Sequence, residues 1–249
     1  MQSAVKVLKT FDGMTLRNRQ ERRSIDSALR KAADMGFTCA VTGDGADEIL
    51  GGYSFTHGMT EERWTSHRAH MCSVMSFDAI PLGKHYGIHV VSPYTDPKVV
   101  KYALTIPKSE AVGERGGKVT GKVPLRDAFP WVFSAERRKD PIEVGSGSTL
   151  LGRGYFNNKM TDQEFEAGKN EAADRYGVHG IRDKEHLYYF NLFKVQFPGL
   201  EVDGMPRHGS DPCPCCGFQM SSPIQTFCKT CGHYDANLRG GATPKVDSS

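Results

Sequence analysis

Two stretches of the 249-residue chain carry residues whose types and spacing could do chemistry. In Thr42-Gly-Asp-Gly-Ala-Asp-Glu-Ile-Leu-Gly-Gly-Tyr53, three carboxylates, Asp44, Asp47 and Glu48, stand among glycines. Gly43 and Gly45 would allow positive φ and close approach of backbone to a ligand. Carboxylate oxygens are hard ligands that suit Mg²⁺ on the phosphates of a nucleotide, where one or two carboxylates and the phosphate oxygens share the ion. The same acids would equally serve an Asx-type turn that caps a helix N-terminus. The second stretch is Cys213-Pro-Cys-Cys216-Gly217 and Cys228-Lys-Thr-Cys231-Gly232. Two C-x₂-C-G knuckles supply four thiolates, the set of a closed, structural Zn²⁺ site, and each glycine permits the tight turn beneath the metal. Cys215 and His233 are spare donors beside them. So small a module folds only as it binds its metal.

These residues need elements to hold them. Leu16 to Met35 has helix-forming composition, with Ile25, Leu29 and Ala32/Ala33 at helical spacing and Gly36 at its end. Phe37 to Thr42 is a short β-prone run. The acidic loop therefore sits at the carboxyl end of a strand, where open parallel sheets bind ligands. Helices are expected over Glu61–Met75, Pro97–Leu104, from about Val123, and over Asp162–Tyr176 and Lys184–Phe197; Ile88 to Val91 reads as extended. Gly113 to Gly121 and Gly145 to Gly154 read as glycine-rich connections. The aromatic stripe Tyr188, Tyr189, Phe190, Phe193 and Phe197 reads as core.

A formal charge of +3 is too small to argue for nucleic acid from composition alone, so any basic patch has to be judged locally. There is no apolar run of the roughly 18 residues that span a bilayer and no secretory leader pattern. Five of the seven cysteines cluster in the knuckles, which favours metal in a reducing compartment over disulfides. The expectation is a cytoplasmic protein with no membrane contact, divided into a domain over 1–200, a linker over 201–210, the cysteine module over 211–234 and a tail over 235–249.

The acidic stretch closely resembles the Ser-Gly-(Glu/Asp)-Gly-(Ala/Ser)-Asp-Glu-X-X-Gly-Gly-Tyr signature of the asparagine synthetase family. Upstream, Arg30-Lys31 and Met35-Gly36 fit that family's helix and strand in register. Downstream, Asp78, Pro93-Tyr94-Thr95-Asp96 and Ile106-Pro107 resemble its Pro-Phe-Leu-Asp and Ile-Pro landmarks, Lys122-Val-Pro-Leu-Arg126 its Lys-X-X-Leu-Arg helix and Arg137-Arg-Lys139 its Arg-X-Lys loop. The resemblance covers roughly residues 17 to 197. Val91 departs from it, since the family usually carries Arg there.

That resemblance implies an α/β, adenine-nucleotide α-hydrolase-like domain, mostly helical after one or more parallel strands, here joined to a zinc-ribbon-like tail. It also implies that a small-molecule carboxylate is adenylated by ATP with Mg²⁺ and then attacked by ammonia or an amine. Asp47 would be a Mg²⁺ ligand, with Glu48, Gly43 and Gly45 around the nucleotide. Asp44 would face the acyl-adenylate or nucleophile, and Lys139 would stabilise charge on the departing phosphates. Lys122 and Arg126 suit phosphate contact or plain surface charge alike. The family's Ser-Gly-Gly-X-Asp-Ser phosphate loop is not among these residues. Three readings follow, a split enzyme, a degenerate relative or a fragment, and the leading expectation is one subunit of a split ligase, completed by a separate chain that carries the loop. The alternative is a non-catalytic scaffold that uses its zinc ribbon and basic segments to bind nucleic acid or protein.

Overall fold

The computed structural model of the protein describes residues 2–12, 20–137, 153–220 and 227–234. Lys139, most of the Gly145 to Gly154 stretch and the tail over 235–249 lie outside the described residues. Two helices, α1 (Gln2–Leu8) and α2 (Gln20–Asp34), precede the first strand. The chain forms two compact units, one of Leu29–Pro141 and one of Met1–Ala28 together with Ile142–Ser249.

In the unit Leu29–Pro141, strand β1 (Cys39–Val41) is followed by α3 (Ala46–Ile49), α4 (Glu61–Val74) and α5 (Ala79–His85). Strand β2 (His89–Val91) then returns parallel to β1, with Cys39 opposite His89 and Val41 opposite Val91. Next come α6 (Pro97–Thr105), α7 (Lys108–Ala111), β3 (Gly113–Arg115), β4 (Lys118–Thr120) and α8 (Val123–Ala128). Local chemistry starts these helices where they start. Thr60 accepts from the Arg63 amide at the head of α4, and Asp96 accepts from the Lys98 amide at the head of α6, with Pro97 in the first turn where its missing N–H costs nothing.

Ile49, Leu50, Trp64, Ala103, Ile106 and Ala111 form the core of this unit. Arg68 is buried in it, with its guanidinium donating to the carbonyls of Ile49 at 3.3 Å, Ala103 at 2.8 Å, Leu104 at 3.0 Å and Ile106 at 2.9 Å. It also stacks 3.8 Å from the Trp64 ring. The rigid fork of donors thereby reaches carbonyls at and just beyond the ends of α3 and α6, of which that of Ala103 also accepts from the Ile106 amide at 3.1 Å.

Gly113 to Gly121 is not the plain connection that its composition implies. Residues β3 and β4 pair antiparallel as a hairpin, turned by Gly116 and Gly117 at φ 55° and 73°. Two consecutive positive-φ residues are what a tight hairpin turn requires.

The second unit is helical around one aromatic core. Alongside α1 it contains α9 (Arg153–Asn157), α10 (Asp162–Tyr176) and α11 (Lys184–Gln196). Thr161 and Glu164 make a reciprocal capping box on α10, and Gly177 ends it at φ 60°. Helices α1, α9 and α10 all pack on α11. From α11, Leu187, Tyr189, Phe190 and Phe193 are buried, so the aromatic stripe is core as read; Phe11, Phe156, Phe218 and the four knuckle cysteines are buried in the same cluster. Residues 201–210 place Val202 in this core, and Arg207 donates to the carbonyls of Cys216 at 2.9 Å and Tyr176 at 2.7 Å. Among the described residues no helix is long and apolar enough to cross a membrane.

Candidate active site and metal centre

The acidic loop leaves the carboxyl end of β1. Gly45 adopts φ 94° and packs on the Tyr94 carbonyl, so a side chain there would be both strained and crowded. Gly43 does not take the left-handed φ that its type allows, and no protein atom comes within 4 Å of where its Cβ would be. Asp44 is partly buried. Desolvation pushes its carboxyl above the usual range, and a 3.0 Å hydrogen bond from the Thr42 hydroxyl works in the opposite direction. Glu48 accepts from the Tyr53 hydroxyl at 2.6 Å.

Asp47, in the first turn of α3, has Lys122 Nζ 2.8 Å from its Oδ1. The chain reaches this pairing by backbone contact. Lys122 takes φ 60°, its amide donates to the Leu50 carbonyl at 2.8 Å, and Gly121 lies so close to Gly51 that a Cβ would strike the Gly51 carbonyl. A Cβ on Gly52 would strike Asp47 itself. Arg126 takes a different part from Lys122. Its guanidinium donates to the carbonyls of Gly121, Ala135 and Arg137, so it ties the start of α8 to the segment that leads towards Lys139.

The loop's donors are all carboxylate or hydroxyl oxygens, which fit Mg²⁺-phosphate, and Lys122 shows that a cation is accommodated at Asp47. Sequence reasoning missed Ser92. It is 9% exposed and its hydroxyl lies 2.8 Å from that of Thr42, at the neighbouring strand end. A lone serine after a short strand carries no motif, and only the parallel register puts it there.

In the other unit the four knuckle thiols, Cys213, Cys216, Cys228 and Cys231, lie within 4.8 Å of one another and are buried. Sγ separations are 3.7 Å for Cys213 and Cys231 and 3.7 Å for Cys216 and Cys228. Gly217 and Gly232, at φ 72° and 73°, close the two turns with amides donating to the Cys213 and Cys228 carbonyls at 2.8 Å and 2.7 Å. Four converging soft donors fit tetrahedral Zn²⁺. Cys215 faces His233 instead, with Sγ 3.2 Å from Nδ1. The second knuckle is fastened from outside. Arg182 donates to the carbonyls of Cys231 at 3.2 Å and Gly232 at 3.1 Å and forms an ion pair with buried Asp12, whose carboxylate fills the space left by the missing Gly232 side chain.

Residues 15–85, which include the whole acidic loop, match the family model for asparagine synthase, and that match implies an adenine-nucleotide α-hydrolase-like α/β fold. The chain is similar to a probable glutamine-hydrolysing asparagine synthetase of Dictyostelium discoideum, 26% identical over 79% of this chain and 37% of that protein. It is 24% identical to the glutamine-hydrolysing asparagine synthetase of Bos taurus, over 81% of this chain and 37% of that protein. With asparagine synthetase B of Escherichia coli the figures are 23%, 77% and 35%. The chain thus spans little more than a third of the length of these relatives.

Proposed function

We propose that this chain is one subunit of a split, ATP-dependent amide-forming ligase, which adenylates a small-molecule carboxylate and passes it to ammonia or an amine. A second polypeptide would supply the Ser-Gly-Gly-X-Asp-Ser phosphate loop. The observation that carries this reading is the state of the sheet that holds the acidic loop. Parallel strands are ordinarily covered on both faces. Here, among the described residues, β1 pairs with β2 alone, and the face bearing Cys39, Val41, His89 and Val91 is open, Val41 being 71% exposed. Phe37, at the approach to β1, is 56% exposed. A free strand edge beside an open apolar face is a template for another chain, and a partner's strands on β1 would bring its phosphate loop to the carboxyl ends where Asp44 and Asp47 stand.

In the completed site, Mg²⁺ would neutralise charge on the nucleotide phosphates, held in part by Asp47. Asp44 would orient the incoming amine, and Lys139 would stabilise negative charge around the leaving group. The cysteine centre is structural on this reading, because its four ligands fill a tetrahedral shell and leave no position for substrate.

The test is co-purification of the chain from its source with mass identification of what accompanies it, followed by pyrophosphate-release assays. The expected partner carries Ser-Gly-Gly-X-Asp-Ser, and the isolated chain is silent. In the complex, Asp47→Asn and Lys139→Ala each lower turnover by two or more orders of magnitude, which corresponds to roughly 3 kcal/mol of transition-state stabilisation. Robust pyrophosphate release by the isolated chain would exclude the split arrangement. Near-normal turnover in both folded, partner-bound variants would favour the non-catalytic scaffold.

A further inference from the structure

The parallel register sets Val41 opposite Val91, and the ladder continues one step further, with the Thr42 amide donating to the Val91 carbonyl at 2.9 Å. Thr42 and Ser92 therefore leave the two strand ends side by side, with their hydroxyl oxygens 2.8 Å apart. A threonine hydroxyl has one proton to give. Thr42 gives it to Oδ2 of Asp44 at 3.0 Å, so in the contact between the two hydroxyls the donor is Ser92. The serine is itself fixed: its carbonyl accepts from the amide and the hydroxyl of Thr95, at 3.0 Å and 2.8 Å. The turn made by Ser92 to Thr95 is also the surface on which Gly45 packs.

We infer that Ser92 is a positioning residue for the Asp44 carboxylate, acting through the Thr42 hydroxyl. The directed chain from Ser92 to Thr42 to Asp44 fixes the Thr42 rotamer, engages Oδ2 and orients Oδ1 for the incoming nucleophile. Hydrogen bonds in such a chain polarise one another, so the Thr42 bond is stronger with Ser92 behind it. The assignment of Asp44 to the nucleophile rests on the proposed function; the hydroxyl chain does not.

The two can be separated by carboxyl-carbon NMR titration of Asp44 in the full chain, with its signal identified by Asp44→Asn. A hydrogen bond to the ionised form lowers a carboxyl midpoint. Thr42→Val is expected to raise the Asp44 midpoint and Ser92→Ala to raise it by a smaller amount in the same direction, while Ser92→Thr stays near wild type. The titratable groups on the surrounding elements, Asp47 and Glu48 of α3, His89 of β2, Asp96 at the head of α6 and Lys122, are unchanged in all three variants. Unperturbed amide spectra away from the loop establish folding, and Ser92→Cys serves if Ser92→Ala fails that check. A Ser92→Ala midpoint equal to wild type, or a Thr42→Val midpoint that does not rise, overturns the chain. If instead both shifts appear but Asp44→Asn leaves turnover intact in the partner complex, the hydroxyl chain stands and the nucleophile role of Asp44 falls.

Discussion

Lys122 and Asp47 meet across 2.8 Å because a glycine, Gly121, rests directly on the backbone at Gly51. The ion pair adds to that backbone contact: both side chains keep part of their surface in water while the paired Oδ1 is buried, and a partly exposed pair of this kind contributes about 1 kcal/mol. Gly121→Ala forces the two segments apart, and overpacking of this kind costs about 2 kcal/mol. Lys122→Met, which removes only the charge pair, should cost less than half as much. Urea denaturation of the two variants checks the order, and a greater loss in Lys122→Met would reverse the argument.

Arg68 has no carboxylate partner in its hydrogen-bonding set; it serves four carbonyls. Arg68→Met removes the donor from the Ile49, Leu104 and Ile106 carbonyls, Ala103 keeping the Ile106 amide, at about 1–3 kcal/mol for each one left without water. A loss of about 4 kcal/mol is expected, together with faster amide exchange in α6. Arg68→Lys should recover only part of it, because an ammonium cannot reproduce the planar fork. Equal losses in the two variants would mean that packing on Trp64, and not the fork, is what Arg68 contributes.

The cysteine centre should hold one zinc per chain, lost in the Cys228→Ser, Cys231→Ser double variant. Because the four cysteines share a core with Phe11, Phe190 and Phe193, chelation should raise hydrogen exchange in α1 and α11 as well as in the knuckles. Exchange that rises over 213–234 alone would show the knuckles to be an independent appendage.

His186 is buried against Phe11, and burial, reinforced by Arg182 and opposed by Asp12 and Asp183, lowers its pKa to about 4. The unfolded chain takes up this proton near the ordinary value of 6.5 and the folded chain does not. Stability is therefore complete above about pH 6.5 and falls as pH drops towards 4, by about 3 kcal/mol in all. His186→Gln should flatten that part of the profile relative to wild type. A wild-type profile already flat across the window, or an unchanged slope in the variant, would contradict it.

What could be read from sequence was what local spacing encodes. The helix expected over Asp162–Tyr176 is α10 with those bounds, and paired cysteines two residues apart announce a chelate whatever surrounds them. The hairpin at Gly113 was missed because each strand is three residues long, too short for alternation to show; the Gly116-Gly117 pair was its one signal. Arg126 could be phosphate ligand or surface charge in sequence, and its carbonyl partners follow from the path of residues 135–137, which no local pattern specifies. The fastening of the second knuckle by Asp12 and Arg182 joins residues far apart in the chain and left no trace in either neighbourhood.

That fastening also bears on how the protein is made. The Phe11 and Asp12 amides both donate to the Thr230 carbonyl, so the first segment of one unit waits for nearly the last of its described residues. The entire unit Leu29–Pro141 is synthesised in between. At a ribosomal pace of about 5–20 residues per second, the interval is roughly 10 to 40 s. During it the intervening unit can mature while Phe11 and the apolar side of α1 remain without their partners on α11 and the second knuckle.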